Sequence, residues 1–239
     1  MYFLRLTSLI FALGVLVSKL FANPVMPTQQ PWDDTETRTY TVKPFTKISL
    51  EGAYKVILEQ GLVSGLRIKT DEDNFKYIDV QSDAQSLCLK ISKKHFDFDD
   101  LILYVTFKDL ESINIEGGIR LETKGYVALN DFHLRVSGGA NIEMNVKANK
   151  FGVIGEGGVK FEFDGIANEF NAKISGAGYL DAIDLKTKIS DVNIEGFGAA
   201  SVYVTDVLKA TISGVGKIRY KGSPQVHKKV DGIGLVSRD

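Results

Sequence analysis

The chain has 239 residues, enough for one or two domains and a sizeable core. Hydrophobic residues at 44% and charged residues at 25% place it among folded globular proteins, not disordered or collagen-like chains. The formal charge of −1 offers no general basic excess, so nucleic acid is excluded as a partner class.

Residues 1–22 read as an export signal peptide. Arg5 opens it, residues 6–17 are almost wholly apolar, and Lys19-Leu20-Phe21-Ala22 leads into Asn23-Pro24. The apolar run is shorter than the ~20 residues a membrane span needs. Its removal leaves 27 basic and 30 acidic side chains, a charge of −3. The expected location is exported: periplasm, outer-membrane-associated or extracellular. No other stretch is apolar enough to span a membrane, and no cysteine follows the apolar run to take a lipid anchor. Residues 23–37 hold three of the five prolines and read as an extended linker, with the single tryptophan, Trp32, leaning on the domain. Cys88 is the only cysteine, so no intramolecular disulfide forms. It sits in an alternating strand pattern as a half-buried small side chain.

Residues 38–112 read as a strand-rich N-terminal part. Apolar and polar residues alternate around Tyr40 and Val42, then Ile48 and Leu50. Gly52-Ala53 interrupts, and the alternation resumes at Tyr54, Val56 and Leu58. After a turn at Gln60-Gly61, Leu66 and Ile68 mark a strand and residues 71–74 a polar loop. Ile78 and Val80, then Leu87, Leu89 and Ile91, then Leu101, Leu103, Val105 and Phe107 continue the period of two. No helical period competes.

Residues 113–239 repeat. A glycine pair recurs at Gly117, Gly138, Gly157, Gly176, Gly196, Gly214 and Gly232, in steps of 21, 19, 19, 20, 18 and 18 residues. Six residues before the glycine stand Phe132, Phe151, Phe170 and Leu208, and two earlier Asn130, Asn149, Asn168 and Asp206. In the Gly196 repeat Ile189 and Thr187 are expected in these two places, and in the last repeat Val226 and Pro224. Each repeat reads as an asparagine turn, a short strand, a glycine corner and a second strand. Such a unit cannot bury its apolar edge alone. Stacking at ~4.8 Å per rung would join the phenylalanines into a core column, and one ~20-residue coil would enclose it. The expected fold is all-β: a parallel β-solenoid, or β-helix, with the strand-rich N-terminal part on the same stack.

The residue before each first glycine alternates acid and serine: Glu116, Ser137, Glu156, Ser175, Glu195, Ser213, Asp231. A serine between two acids doubles their spacing and relieves repulsion. Alternatively two repeats make one turn, and the Glu116, Glu156 and Glu195 column lines a cation or glycan site.

Motifs for chemistry are missing. His95, His133 and His227 lack zinc-site spacing, and there is no nucleophile elbow, phosphate loop or dinucleotide fingerprint. Asp71-Glu72-Asp73 and the Asp97, Asp99 and Asp100 group do not match a calcium loop and read as solvated loop tips. Lys147, Lys173, Lys186 and Lys209 are scattered among acids in no catalytic arrangement. The expectation is no catalytic residue, no cofactor and no metal.

The segments Phe45-Thr46-Lys47-Ile48-Ser49-Leu50-Glu51-Gly52 and Val56-Ile57-Leu58-Glu59-Gln60-Gly61 carry a resemblance. So do Leu87-Cys88-Leu89-Lys90-Ile91, residues 110–118, and the corners Ile174-Ser175-Gly176-Ala177-Gly178 and Ile212-Ser213-Gly214-Val215-Gly216. Over residues 38–236 the chain resembles the head GIN domain family of autotransporter adhesins, exported β-repeat proteins of Bacteroidetes-type bacteria. The resemblance implies a β-helix-like fold, export and adhesion, and brings no catalytic residues. The expected function is therefore a non-enzymatic binding or adhesion module whose partner is a glycan or a cell-surface protein. Tyr179, Tyr203 and Tyr220 are candidate exposed contacts. A carbohydrate-active enzyme and a self-associating envelope protein are the alternatives, with Pro224, Lys228 and Lys229 protecting the last edge in the latter.

Overall fold

The computed structural model describes residues 35–92 and 100–239. The expected signal peptide, nearly all of the expected linker including Trp32, and His95, Asp97 and Asp99 lie outside the described residues.

The fold is all-β, as the period of two requires. Eight strands follow in order: β1 (Thr35–Tyr40), β2 (Lys47–Gln60), β3 (Gly65–Asp71), β4 (Ile78–Ser82), β5 (Ser86–Ile91), β6 (Leu101–Phe107), β7 (Ser112–Lys221) and β8 (Gln225–Arg238). The polar stretch after β3 is a 3₁₀ helix, Glu72–Tyr77, instead of an open loop; it buries Phe75 and Asn74, whose amide donates to Thr70 Oγ1 at 3.1 Å. Strand structure begins at Thr35, three residues before the expected start.

The sheet is mixed, in the order β1-β3-β6-β2-β5-β4, with β7 on β2 and β8 on β7. The pairs β1–β3, β3–β6 and β4–β5 are antiparallel, whereas β2 pairs in parallel with β5, β6 and β7. Gly52 does not end a strand; β2 bends through it at φ +129°. Residues 47–51 thereby pair with β5 and residues 55–60 with β6, while residues 47–58 run alongside β7.

Strand β7 is 110 residues of extended backbone. Drawn straight it would be ~360 Å long. Its glycines bring it back on itself. Gly52 faces Gly117 in the β2–β7 register, and Gly214 faces Gly232 in the β7–β8 register. Between them the glycines climb one repeat at a time. A Cβ on Gly138 would lie 2.5 Å from the Gly117 carbonyl oxygen, one on Gly176 2.7 Å from that of Gly157, and one on Gly196 2.5 Å from that of Gly176. All eight glycines of this column have positive φ. Successive repeats therefore meet at one corner. This overturns the alternative in which two repeats make a turn; acids and serines share one column.

Inside, Phe132, Phe151 and Phe170 are fully buried, with ring centroids 5.8 and 5.4 Å apart. The next place in the column corrects the expectation. Ile189 is 45% exposed, and Ser190 is the buried residue. The register counts back six residues from Gly196 without a shift. Ser190 tolerates the core because its hydroxyl lies 2.8 Å from that of Thr187, which also donates to the Tyr203 carbonyl at 2.8 Å. Thr187 is accordingly buried and does not occupy a turn. Leu208 then restores the apolar column. The asparagines also act differently from turn formers. Extended structure continues through them, and their amides bond from repeat to repeat: Asn149 donates to Asp131 at 3.0 Å and Asn168 to Asn149 at 3.1 Å.

These contacts rank the glycines. Gly138→Ala should cost about 3 kcal/mol or more, since positive φ and a carbonyl both oppose the methyl. Gly125 has φ +77° with nothing within 4 Å of an added Cβ; its alanine variant should cost about 1 kcal/mol. Gly158 has an open Cβ position and should tolerate alanine within about 0.5 kcal/mol. Urea unfolding of the three variants checks the order, and equal losses would contradict it.

Candidate functional site

Alternation turns every second side chain outward, and stacking aligns these side chains in columns. Two surfaces result, one before the glycine corner and one after it.

The surface before the corner contains a groove of ≈ 580 Å³. Gly152 lines it. His133, Asn171, Asp191 and Lys209 hold the equivalent place in neighbouring repeats, five before the corner glycine; at Gly152 the His133 ring leans into the place of the side chain, its Nδ1 2.8 Å from where a Cβ would stand. Arg135, Ile154, Lys173, Asn193 and Thr211 continue the lining. Cations and acids here pair across neighbouring repeats: Arg135 with Glu156 at 2.8 Å, Lys173 with Glu195 at 2.9 Å and Lys209 with Asp191 at 2.7 Å. The groove thus combines apolar side chains such as Ile154 with polar ones and is locally charge-balanced.

The column before the glycines pairs with the groove's cations. Glu195 accepts from Ser175 Oγ at 3.3 Å and from Asn193 Nδ2 at 3.1 Å. The Lys173 ammonium, and then these donors, hold the Glu195 carboxyl below the usual glutamate range. The spacer serine is therefore also a hydrogen-bond donor to the next acid. The column extends one residue further than the repeat count. Glu51 stands beside Glu116 in register, and Lys90 sits 2.7 Å from Glu51 on the other side.

The second surface lies after the corner. The residue five after each glycine reads Glu122, Glu143, Glu162, Asp181, Ser201, Arg219. Four acids thus occupy four successive repeats with no serine between them. Each has a partner beside it. Lys55 lies 3.0 Å from Glu122 and Lys160 2.6 Å from Glu162. Asn141 donates to Glu143 at 3.2 Å and the Tyr179 hydroxyl to Asp181 at 3.2 Å. Tyr126 donates to the flanking Asp164 at 3.1 Å, which raises the phenol's pKa. Among the described residues no group of three or more histidine, cysteine or acidic side chains is placed to hold a metal ion.

The residues singled out in the sequence are distributed unevenly. His133 lines the Gly152 groove, and His227 is exposed on β8. Lys173 and Lys209 are joined in that groove, while Lys147 and Lys186 lie together elsewhere. Tyr179 is exposed, but Tyr203 is half-buried and Tyr220 packs against the core, because the chain turns it onto apolar neighbours. Asp71, Glu72 and Asp73 are exposed, and Cys88 is half-buried. The middle residues of three later corners, Phe197, Val215 and Ile233, are exposed; a Gly-x-Gly pattern gave no sign of that.

The class defined by this geometry is an all-β protein whose glycine corners hold outward side chains in a fixed lattice. Residues 44–224 match the family described as "Putative auto-transporter adhesin, head GIN domain", and the chain belongs to that family. The chain is similar to a solved "putative adhesin" from Bacteroides fragilis, at 24% identity and TM-score 0.82, over 87% of this chain and 99% of that one. A "putative adhesin" from Parabacteroides merdae is 25% identical with TM-score 0.65, over 87% and 97% of the two chains. A "Putative lipid binding protein" from Parabacteroides distasonis is 20% identical with TM-score 0.63, again over 87% and 97%. The likenesses below 25% identity establish the fold alone. No curated protein matches the chain.

The lowered pKa of Glu195 gives a direct check on the groove. Its ion pair favours the charged form, so any stabilisation is present above the unfolded-state pKa and is lost as pH falls through the folded one. Carboxyl titration by NMR should place Glu195 below an ordinary glutamate, and Lys173→Ala should move it upward. An unmoved titration would mean that the pair does not persist in solution.

Proposed function

We propose that this protein is an exported, non-enzymatic binding module of the adhesin type, built as a parallel β-solenoid of about 20-residue rungs. The groove at Gly152 is its ligand-contact surface, and a glycan or a cell-surface protein is its partner class. The observation that carries this reading is the groove itself. The recess is lined by His133, whose ring leans over Gly152, by Asn171 and Asn193 and by paired charges. Amides, an imidazole and balanced ion pairs suit hydroxyl-rich or peptide ligands better than a strongly charged one. The family membership and the apolar leader at residues 6–17 support export.

Gly152 has no positive φ, so a longer side chain can be placed there by moving the His133 ring. Gly152→Gln should reduce binding to a glycan array or to whole cells by about tenfold or more while leaving the melting temperature within about 2 °C. Unchanged binding with unchanged stability would remove the groove from the ligand surface. The solenoid is tested separately by duplicating residues 151–169, one full repeat. The lengthened protein should fold cooperatively with more β signal, and failure to fold would contradict a quasi-one-dimensional stack.

A further inference from the structure

We propose that a second surface binds a linear acidic polysaccharide, through Lys147, Lys186 and Lys188 around Ile166. This site is separate from the Gly152 groove. It forms a recess of ≈ 610 Å³, lined also by Asn168 and Thr205, with Ile166 52% exposed on it.

The charge balance differs from that of the first groove. There, cations are matched by acids in neighbouring repeats. Here, among the described residues, none of the three lysines makes an ion pair. Asp206, the one acid in the lining, instead accepts the Thr205 hydroxyl at 2.7 Å. Three cations converging on one recess repel one another, and an anion placed among them removes that cost.

Aromatic rings extend the surface. Lys147 lies over the Tyr126 ring at 5.5 Å, and Lys186 and Lys221 lie over the Tyr203 ring at 5.8 and 4.9 Å. Tyr126, Lys147, Ile166, Lys186, Tyr203 and Lys221 come from successive repeats, so the strip spans five repeat steps, or ~24 Å at ~4.8 Å each. Cations and flat or apolar side chains in a line suit a polymer that carries a carboxylate or sulfate at intervals along sugar rings. A membrane would need a broad apolar face, whereas the apolar surface here is confined to the recess at Ala148, Ile166 and Ala167 and is ringed by the lysines. The acids Glu122, Glu143, Glu162, Asp181 and Asp184 line the adjoining recess, and Asp164 accepts from the Tyr126 hydroxyl at one end of the strip; they repel a polyanion and keep it on the lysines.

The test measures binding of the folded protein to polygalacturonate and heparin, with neutral dextran and vesicles rich in phosphatidylglycerol alongside. Titrations at about 50 and 300 mM sodium chloride report the electrostatic share. The acidic polysaccharides should bind, more weakly at high salt, and dextran and vesicles should not. Lys147→Gln/Lys186→Gln/Lys188→Gln should weaken binding by about tenfold or more at an unchanged melting temperature. The control Lys90→Gln/Lys160→Gln/Lys229→Gln removes the same charge from ion-paired lysines elsewhere and should keep the affinity. Equal losses in both triples, no binding of either polysaccharide, or preference for the vesicles would overturn the proposal. Gly152→Gln should leave this binding intact, which separates failure here from failure of the first groove.

Discussion

The close approach of one glycine to the carbonyl of the glycine one repeat earlier is the constraint on which the structure depends. Extended backbone must bend sharply to return over itself, and at the bend neighbouring repeats leave no room for a Cβ. A methyl at Gly138 would press on the Gly117 carbonyl, and the same crowding recurs along the column. Positive φ and lack of space are two separate demands, and only glycine meets both. Once the corner is fixed, the strands on either side are in register, the phenylalanines fall into one buried column, and outward side chains acquire neighbours from other repeats.

That register turns sequence into a two-dimensional surface. Residues about 20 apart become neighbours, so ion pairs such as Lys173–Glu195 and Lys209–Asp191 are set by repeat length. The surfaces handle charge in three ways. Serines separate the acids before the corner, side-on lysines, amides and phenols hold the acids after it, and three lysines in the third recess have no acid partner. A functional reading of such a protein rests on these columns, because no single side chain carries unusual chemistry.

Most of the architecture was legible in the sequence, since a glycine corner leaves a periodic mark. The all-β class, the corner glycines and the buried phenylalanines followed from period and spacing. Gly52 was passed over as a strand break because it stands 65 residues before Gly117, far from the regular step, although Leu50-Glu51-Gly52 matches Ile115-Glu116-Gly117. Ser190 was displaced from the core column because a serine is an unexpected core residue; only its bond to Thr187 explains it. The Gly152 groove was hidden because its lining, from His133 to Lys209, comes together only when repeats stack. The acid column also leaves a mark in the sequence, five residues after four successive glycines from Gly117 to Gly176. Tyr220 and Tyr179 could not be told apart, because burial depends on which column faces the core.

The central claim is that each repeat makes one turn. Spin labels at Glu143→Cys and Arg219→Cys, with Cys88→Ser removing the native thiol, probe it by double electron–electron resonance. Both sites lie five residues after a corner glycine and are four repeats apart. One turn per repeat predicts a narrow distribution near ~19 Å. A distance near ~10 Å, as two repeats per turn would give, or a broad distribution would contradict the account.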